Sequence, residues 1–206
     1  SILIDCGNVK RNWPNWQAGT LSFEFSHGKQ LIIVNSGYIS ENSNWSKALK
    51  GTFAHSTLTL DNKNSSSINL DKNPTQTAKI VESGIQKVED GIIVFGNHNG
   101  YVKTHGIYHK RQILLNKNGS SIIGKDTLLY SGTPKLSAID GVLRFHLHPS
   151  VKANKLFSKN ILLKISSGLA WIFKFHSSFP IIEDSVYVIN SKPKRVYKNN
   201  YTELFS

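Results

Sequence analysis

The fold is decided by residues 15–38, which read NWQAGTLSFEFSHGKQLIIVNSGY. Apolar and polar side chains alternate over residues 21–26, which is the period of a strand with one buried face. Residues 27–29 then predict a turn, and the apolar run at residues 31–34 predicts a second strand. Together these features predict a hairpin with one apolar face and one polar face.

Further strands follow the hairpin along the whole chain. His55 opens an alternating stretch that continues to Asp61, so a polar ring is expected beside the polar face of the hairpin. Helical periodicity is almost absent, with room for one helical turn at residues 45–49. Turns are predicted at three dipeptides that contain glycine, namely Ser83–Gly84, Asp90–Gly91 and Asn118–Gly119.

About a dozen predicted strands in one chain favour a layered architecture. A single sheet of that size would leave one hydrophobic face uncovered, so two sheets must pack against each other. We therefore predict an all-β fold, a large two-sheet antiparallel β-sandwich (a supersandwich) with little or no helix, in which residues 1–206 form a single domain. The sequence contains no methionine, from which we expect the C-terminal fragment or a processed product of a longer chain.

The chain is strongly basic, with 25 Lys and Arg against 13 Asp and Glu and a formal net charge of +12. This charge favours a polyanionic partner, whether nucleic acid, an acidic polysaccharide or an anionic membrane surface. A basic surface without a specific anion site fits the composition equally well. No apolar run is long enough to span a bilayer. The single cysteine, Cys6, excludes an internal disulfide and a cysteine-based zinc cluster.

The eight histidines of the chain are the first candidates for catalytic, metal-binding or substrate-binding residues. His146 and His148 are separated by one residue on a predicted strand, so both rings leave the same face. This spacing suits a metal ion or an anionic sugar. A polar pair that packs and hydrogen-bonds on a concave sheet face explains the spacing as well.

A second group of candidate residues comprises His98, Tyr101, His109 and Arg111. His109 and Arg111 share one face of a predicted strand, and residues 97–100 are expected to form a loop that folds over it. Together, His, Tyr and Arg side chains can hold a carboxylated sugar through charge-assisted hydrogen bonds. The alternative interpretation is a surface-exposed basic strand with a tyrosine in its turn.

Several segments, taken in order, resemble one family. Beyond the hairpin they are AHSTLTLD at residues 54–61, HNGY at 98–101, HKRQILLN at 109–116, RFHLHPSV at 144–151 and GLAWIFKF at 168–175. Their succession resembles the C-terminal β-sandwich domain of the heparinase II/III-like proteins, over most of residues 15–190. The resemblance implies a polysaccharide lyase that cuts uronic-acid-containing chains by β-elimination. It also implies an upstream α/α toroid domain in the same chain, with the active site in the cleft between the two domains.

The resemblance further implies where site residues would lie. In the family the sandwich contributes a catalytic histidine and a structural zinc site of His, Asp and His. The catalytic position falls on Asn15, and the three metal positions fall on Gln17, Asn35 and His55. Amides are weak, neutral zinc ligands, so this degenerate site is not expected to hold zinc, and no other cofactor is expected. The three side chains are expected to hydrogen-bond to each other instead.

With Asn15 at the catalytic position, another histidine would have to act in its place. The candidates for a catalytic role are His109 and His146. The candidates for substrate contacts are His55, His98, Tyr101, Arg111 and His148. Since the toroid would supply the remaining catalytic groups, the chain by itself is expected to be inactive.

Two functions of different classes stay open. The chain is either one wall of the substrate cleft of a lyase that acts on an acidic polysaccharide such as a glycosaminoglycan, or a noncatalytic acidic-carbohydrate-binding or structural module. The altered metal positions favour the second. Nucleic acid is not expected as a partner, because the chain lacks the aromatic and basic strand face of an RNA reader. The family implies the periplasm or cell envelope as the location.

Overall fold

The computed structural model describes residues 1–8, 16–39, 44–68, 75–133, 138–157, 160–176, 180–189 and 192–205, with the backbone alone over 194–205. The helical elements are short: α1 (Asn44–Lys50), a 3-10 turn (Thr52–Ala54) and α2 (Val102–His105). The strands are β1 (Ile2–Ile4), β2 (Phe23–His27), β3 (Gln30–Val34), β4 (Leu58–Leu60), β5 (Ile80–Val88), β6 (Gly91–Tyr101), β7 (Ile107–Asn116), β8 (Ile122–Tyr130), β9 (Gly141–Leu147), β10 (Lys152–Lys155), β11 (Ile161–Lys164), β12 (Ala170–Phe173), β13 (Ile181–Ile189) and β14 (Lys192–Phe205).

In the described part of the chain these strands form three antiparallel sheets. The largest has the order β1-β2-β3-β9-β14-β13, with β4 paired to β9 as its seventh strand. Strands β5-β6-β7-β8 form a four-stranded sheet, and β10-β11-β12 form a small sheet of three. The predicted all-β sandwich is confirmed, and the small sheet is an addition to the two sheets that the sequence predicts. The described helices are too short and too polar to cross a membrane.

Strand β9 lies inside the seven-stranded sheet. One of its edges pairs with β4 at residues 141–143 and with β3 at residues 146–147, while β14 pairs along its other edge. Successive residues of β9 are buried although they point to opposite faces, so the strand is covered above and below as well as along its edges.

One hydrophobic core connects the three sheets. Phe145 of β9 contacts Phe23 of β2 and Phe173 of β12, with ring centroids 6.0 Å and 4.9 Å away in edge-on arrangements. Ile113 of the four-stranded sheet and Ile161 of the small sheet are buried in the same core. The sheets are therefore layers around shared apolar side chains.

Leu21, in the segment before β2, packs closely against Gly96 of β6. Leu21 is fully buried and has a positive φ of 60°, a backbone conformation that is strained for leucine. A Cβ atom on Gly96 would lie only 2.4 Å from Cδ2 of Leu21, so the leucine side chain packs directly on the backbone of β6. The absence of a side chain at Gly96 lets the sheets come this near.

Two of the three predicted glycine turns are confirmed. The chain turns at residues 89–90, next to Gly91, and at residues 117–120, around Asn118–Gly119. The turn predicted at Ser83–Gly84 is wrong, because β5 continues through both residues. Gly84 pairs with Phe95 on β6, and a Cβ at Gly84 would lie 2.9 Å from the phenylalanine ring. The glycine thus makes room for an aromatic ring on the neighbouring strand. The helical turn predicted at residues 45–49 is confirmed as α1.

Candidate functional site

The first candidate site lies where the segment before β2 meets the segment before β4. His55 is 3 % exposed, and its ring lies between two oxygen atoms. Its Nδ1 is 2.8 Å from the carbonyl oxygen of Gly51, and its Nε2 is 2.9 Å from Oε1 of Gln17. Burial lowers the pKa of His55 to about 4, although the Gly51 carbonyl opposes this shift. At neutral pH the ring therefore carries a single N–H, on Nδ1 or on Nε2, which donates to one of these two oxygens.

Asn35 has other partners. Its backbone N–H and its side-chain NH2 group both donate to Oε1 of Glu24, at 3.3 Å and 3.2 Å, and its Oδ1 accepts from the backbone N–H of Ser56 at 2.9 Å. The expected direct hydrogen bond between Gln17 and His55 is thus confirmed, while the expectation that Asn35 joins them is wrong. Asn15, the remaining position of this group, lies outside the described residues.

The residues present do not fit the zinc ion that the family implies. Two of the three positions hold neutral amides, and the amide oxygen of Asn35 already accepts a backbone hydrogen bond. In the described ranges no group of three or more His, Cys, Asp and Glu side chains could hold a metal ion. Zinc in proteins is held by three or four Cys, His, Asp or Glu side chains, and of these three positions only His55 provides such a ligand.

The close packing around His55 predicts the effect of enlarging Gly19. A Cβ at Gly19 would lie 2.5 Å from Cδ2 and 2.9 Å from Cγ of the His55 ring. We expect Gly19→Ala to displace the ring and lower the free energy of unfolding by about 1–3 kcal/mol, as measured by urea denaturation. Gly132→Ala is the matched control, because nothing lies within 4 Å of a Cβ at that position. Equal denaturation midpoints for the two variants would show that the His55 ring is not tightly held.

His146 is held in the interior near His55. Its Nε2 donates to the carbonyl oxygen of Phe53 at 2.9 Å, and its Nδ1 accepts from the hydroxyl of Ser185 at 3.0 Å, with the Ser36 hydroxyl 3.3 Å away. Burial, together with the nearby His55, lowers the pKa of His146 to about 3. Both ring nitrogens are thus occupied, and the ring is neutral.

His148 does not share these partners. Its Nδ1 is 2.7 Å from the hydroxyl of Ser150, and its ring lies edge-on to Tyr187 at 5.3 Å between centroids. Partial burial lowers the pKa of His148. The two histidines of the H-x-H pattern therefore make separate contacts.

The second candidate site is a buried chain of hydrogen bonds in the four-stranded sheet. The backbone N–H of Gly100 donates to Nδ1 of His98 at 3.0 Å, which leaves the proton of His98 on Nε2. This Nε2 donates to Nδ1 of His109 at 3.1 Å, and Nε2 of His109 donates to Oδ1 of Asp126 at 2.6 Å. The two ends fix the tautomer of both histidines, so every bond in the chain has one direction.

Arg111 completes this network. Its guanidinium donates two hydrogen bonds to Asp126, from Nε to Oδ1 at 2.8 Å and from Nη2 to Oδ2 at 3.2 Å. Its Nη1 donates to the carbonyl oxygens of Leu21 and Ser56, at 2.8 Å and 2.7 Å, so the arginine ties β7 to the segments before β2 and β4. The group is also 5.5 Å from the centre of the Phe23 ring. We call His98, His109, Arg111 and Asp126 the buried relay.

Burial sets the charges of the buried relay. It lowers the pKa of His98 well below the ordinary value, and it lowers the pKa of His109 despite the neighbouring Asp126. Burial alone would raise the pKa of Asp126, but Arg111 and the hydrogen bond from His109 outweigh it and hold that pKa well below its usual range. The relay thus contains one carboxylate and one guanidinium, bridged to two neutral imidazoles.

The predicted surroundings of His109 and Arg111 are wrong in two respects. Residues 97–100 belong to β6 rather than to a loop, because the strand continues to Tyr101 with an irregular register after His98. The alternative of a surface-exposed basic strand is also wrong, since His109 is 0 % and Arg111 2 % exposed. Packing of the seven-stranded sheet over this face buries both residues.

Tyr101 lies beside His98 of the buried relay. The tyrosine is fully buried, its hydroxyl donates to the carbonyl oxygen of Leu58 at 2.7 Å, and burial raises its pKa. Its ring lies between those of His98 and His105, at centroid distances of 5.7 Å and 5.9 Å. His105 in turn contacts Oδ2 of Asp61 at 3.0 Å through Nε2.

The structure thus separates the predicted site residues into groups. His98, Tyr101, His109 and Arg111 meet in one interior network, while His55 and His146 hold the backbone of residues 51–53. Sequence reasoning does not single out Asp126 as a site residue. The Asn118–Gly119 turn could have indicated it. A hairpin centred on that turn places Asp126 opposite Arg111, as the structure does.

Comparison with known proteins gives one match. The family described as Heparinase II/III-like, C-terminal, matches residues 1–200. No curated protein and no solved structure matches the chain.

Proposed function

The chain belongs to the heparinase II/III-like family as a C-terminal domain, and on this premise we propose that it forms one wall of the substrate cleft of a polysaccharide lyase. The substrate is a polysaccharide that contains uronic acid, and the reaction is β-elimination. The observation that carries this proposal is the family match over residues 1–200. An N-terminal domain of the same protein is the other wall.

The charge of the chain supports an acidic substrate. The net charge of +12 creates a positive field that attracts a polyuronate and raises its local concentration. β-Elimination also needs the uronate carboxylate to be neutralised before the C5 proton can be removed, and positive groups favour that step. A basic wall therefore suits both the binding and the chemistry.

In this proposal His109 and His146 are scaffold residues. A general base must come within hydrogen-bonding distance of the proton that it removes, about 2.6–3.2 Å between heavy atoms. His109 and His146 are 0 % and 4 % exposed, and each has both ring nitrogens engaged by other groups of the chain. The proton-transfer groups are then supplied by the N-terminal domain, and the chain alone is inactive.

The proposal is tested on the full-length protein. It is incubated separately with heparan sulfate, chondroitin sulfate and alginate, and the ultraviolet absorbance of the unsaturated uronate product is followed. We expect a steady rise with at least one of these substrates and none with residues 1–206 alone. A full-length protein that is folded, yet gives no rise with any polyuronate, would refute the lyase function.

A noncatalytic carbohydrate-binding module is the second candidate. The amides of Gln17 and Asn35 at the positions of the family's metal ligands favour it. In that case residues 1–206 would bind acidic oligosaccharides, as measured by calorimetry, while the full-length protein would leave the same oligosaccharides uncut. The two assays together separate the two functions.

A further inference from the structure

Phe53 is an apolar residue held at the surface in a fixed position. It lies in the 3-10 turn after α1, and its side chain is 44 % exposed. A Cβ on Gly51 would lie 2.8 Å from Cε1 and Cζ of the phenylalanine ring. The ring therefore lies against the bare backbone of Gly51, and part of it faces solvent.

The backbone around Phe53 is held by three side chains. Nε2 of His146 donates to the carbonyl oxygen of Phe53 itself, at 2.9 Å. The ring of His55 contacts the Gly51 carbonyl oxygen at 2.8 Å, and the backbone N–H of Thr52 donates to Oδ1 of Asn64 at 2.7 Å. Three consecutive residues are thus each tied to a side chain, and two of these side chains, Asn64 and His146, come from outside the segment.

These ties fix the backbone position from which the phenylalanine ring extends. Here the backbone of residues 51–53 is fixed, and the two histidines that contact it are themselves buried and neutral. An aromatic ring in a fixed orientation loses little entropy when a ligand packs on it.

We propose that Phe53 is a stacking platform for a sugar ring of an acidic polysaccharide, an assignment that rests on the proposed function. A pyranose presents a face of C–H groups, which matches the electron-rich face of an aromatic ring. The same surface segment, residues 44–54, carries a second exposed aromatic residue, Trp45, at 46 % exposure. It also carries the exposed Lys47, a partner for a uronate carboxylate.

The location agrees with this role. The contacts of His55 and His146 place residues 51–53 directly beside Gln17 and His55, where the family's metal site would lie. A ligand on Phe53 would therefore lie next to a part of the sandwich that the family uses for its site. In this chain, contacts of the interior histidines His55 and His146 hold this surface segment.

The test uses residues 1–206 with heparin and alginate oligosaccharides of defined length as probes, and calorimetry as the measurement. We expect Phe53→Ala to weaken the affinity about tenfold, the effect of losing one aromatic contact. Phe53→Trp retains a stacking surface and should restore most of the affinity. Phe157→Ala is the matched control, because Phe157 is an exposed phenylalanine elsewhere in the fold, and it should leave binding unchanged. Thermal unfolding of each variant confirms that it is folded.

The outcomes separate the two proposals. If residues 1–206 bind an oligosaccharide and Phe53→Ala binds it equally well, the platform is refuted while the proposed function stands. An equal loss in Phe157→Ala also refutes the platform, because it indicates general apolar contact. If residues 1–206 bind neither probe, the platform is refuted, while the lyase function is decided separately by the absorbance assay on the full-length protein. A Phe53→Ala variant with unchanged affinity but a lower Tm in the full-length protein would instead assign the ring to contact with the N-terminal domain.

Discussion

Arg111→Ala lowers the free energy of unfolding by about 3–5 kcal/mol, the expected cost of leaving a buried charge without its partner. Asp126 would lose both guanidinium hydrogen bonds, and its side chain is only 13 % exposed to water. The carbonyl oxygens of Leu21 and Ser56 would lose the donor that they share. Urea denaturation at neutral pH, followed by circular dichroism, measures the change.

The next residue along β7 provides the control. Lys110 is half-buried on the opposite face, where its amine lies 5.7 Å from the centre of the Phe95 ring. Lys110→Ala removes the same charge and should cost less than about 1 kcal/mol. If the two variants have the same stability, the buried relay does not hold the sheets together. A double variant, Arg111→Met with Asp126→Leu, should be more stable than Arg111→Ala, because no charge is left unpaired.

We expect the free energy of unfolding to fall steeply as the pH is lowered from about 6.5 to 4, because several buried histidines resist protonation. The pKa of His55 is lowered to about 4 and that of His146 to about 3, and those of His98 and His109 are also lowered. In the unfolded chain these rings take up protons near pH 6.5, so acid favours the unfolded state until the folded rings titrate as well. The loss is about 1.4 kcal/mol for each unit of pKa difference, on the order of 3 kcal/mol for His55 alone.

Asp126 acts in a lower pH window. Its pKa is held below the ordinary value of 3.8, so its contribution is present above that pH and is lost only as the pH falls through the lowered value. The decline between pH 6.5 and 4 therefore belongs to the histidines. Urea denaturation midpoints measured at steps of half a pH unit give the slope of stability against pH. A flat stability profile down to pH 4 would contradict neutral buried rings.

The sequence predicts local pairing better than it predicts burial. The alternation at residues 21–26 and the Asn118–Gly119 turn both predict strands that the structure contains. These features depend on neighbours along the chain. The burial of Arg111 and His109 depends on a second sheet whose strands lie far away in sequence, so no local pattern indicates it.

The polar face of the hairpin also has one contact that the sequence predicts and one that it does not. The contact between Gln17 and His55 follows from the expectation that a polar ring stands beside the hairpin. The partners of Asn35 do not follow, because they depend on side chains and backbone that come together only in the folded sheet. Glu24 of β2 accepts from both donors of Asn35, and the backbone N–H of Ser56 donates to its amide oxygen.

The packing of Leu21 on Gly96 restricts how relatives of this chain can vary. The leucine methyl group occupies the volume that any side chain at residue 96 would need. A relative with alanine or a larger residue at position 96 then needs a rearranged leucine side chain or a smaller residue at position 21, or a wider gap between the sheets. The carbonyl group of Leu21 also accepts a hydrogen bond from Arg111, so a wider gap would break that contact too. Residues 21 and 96 should therefore change together.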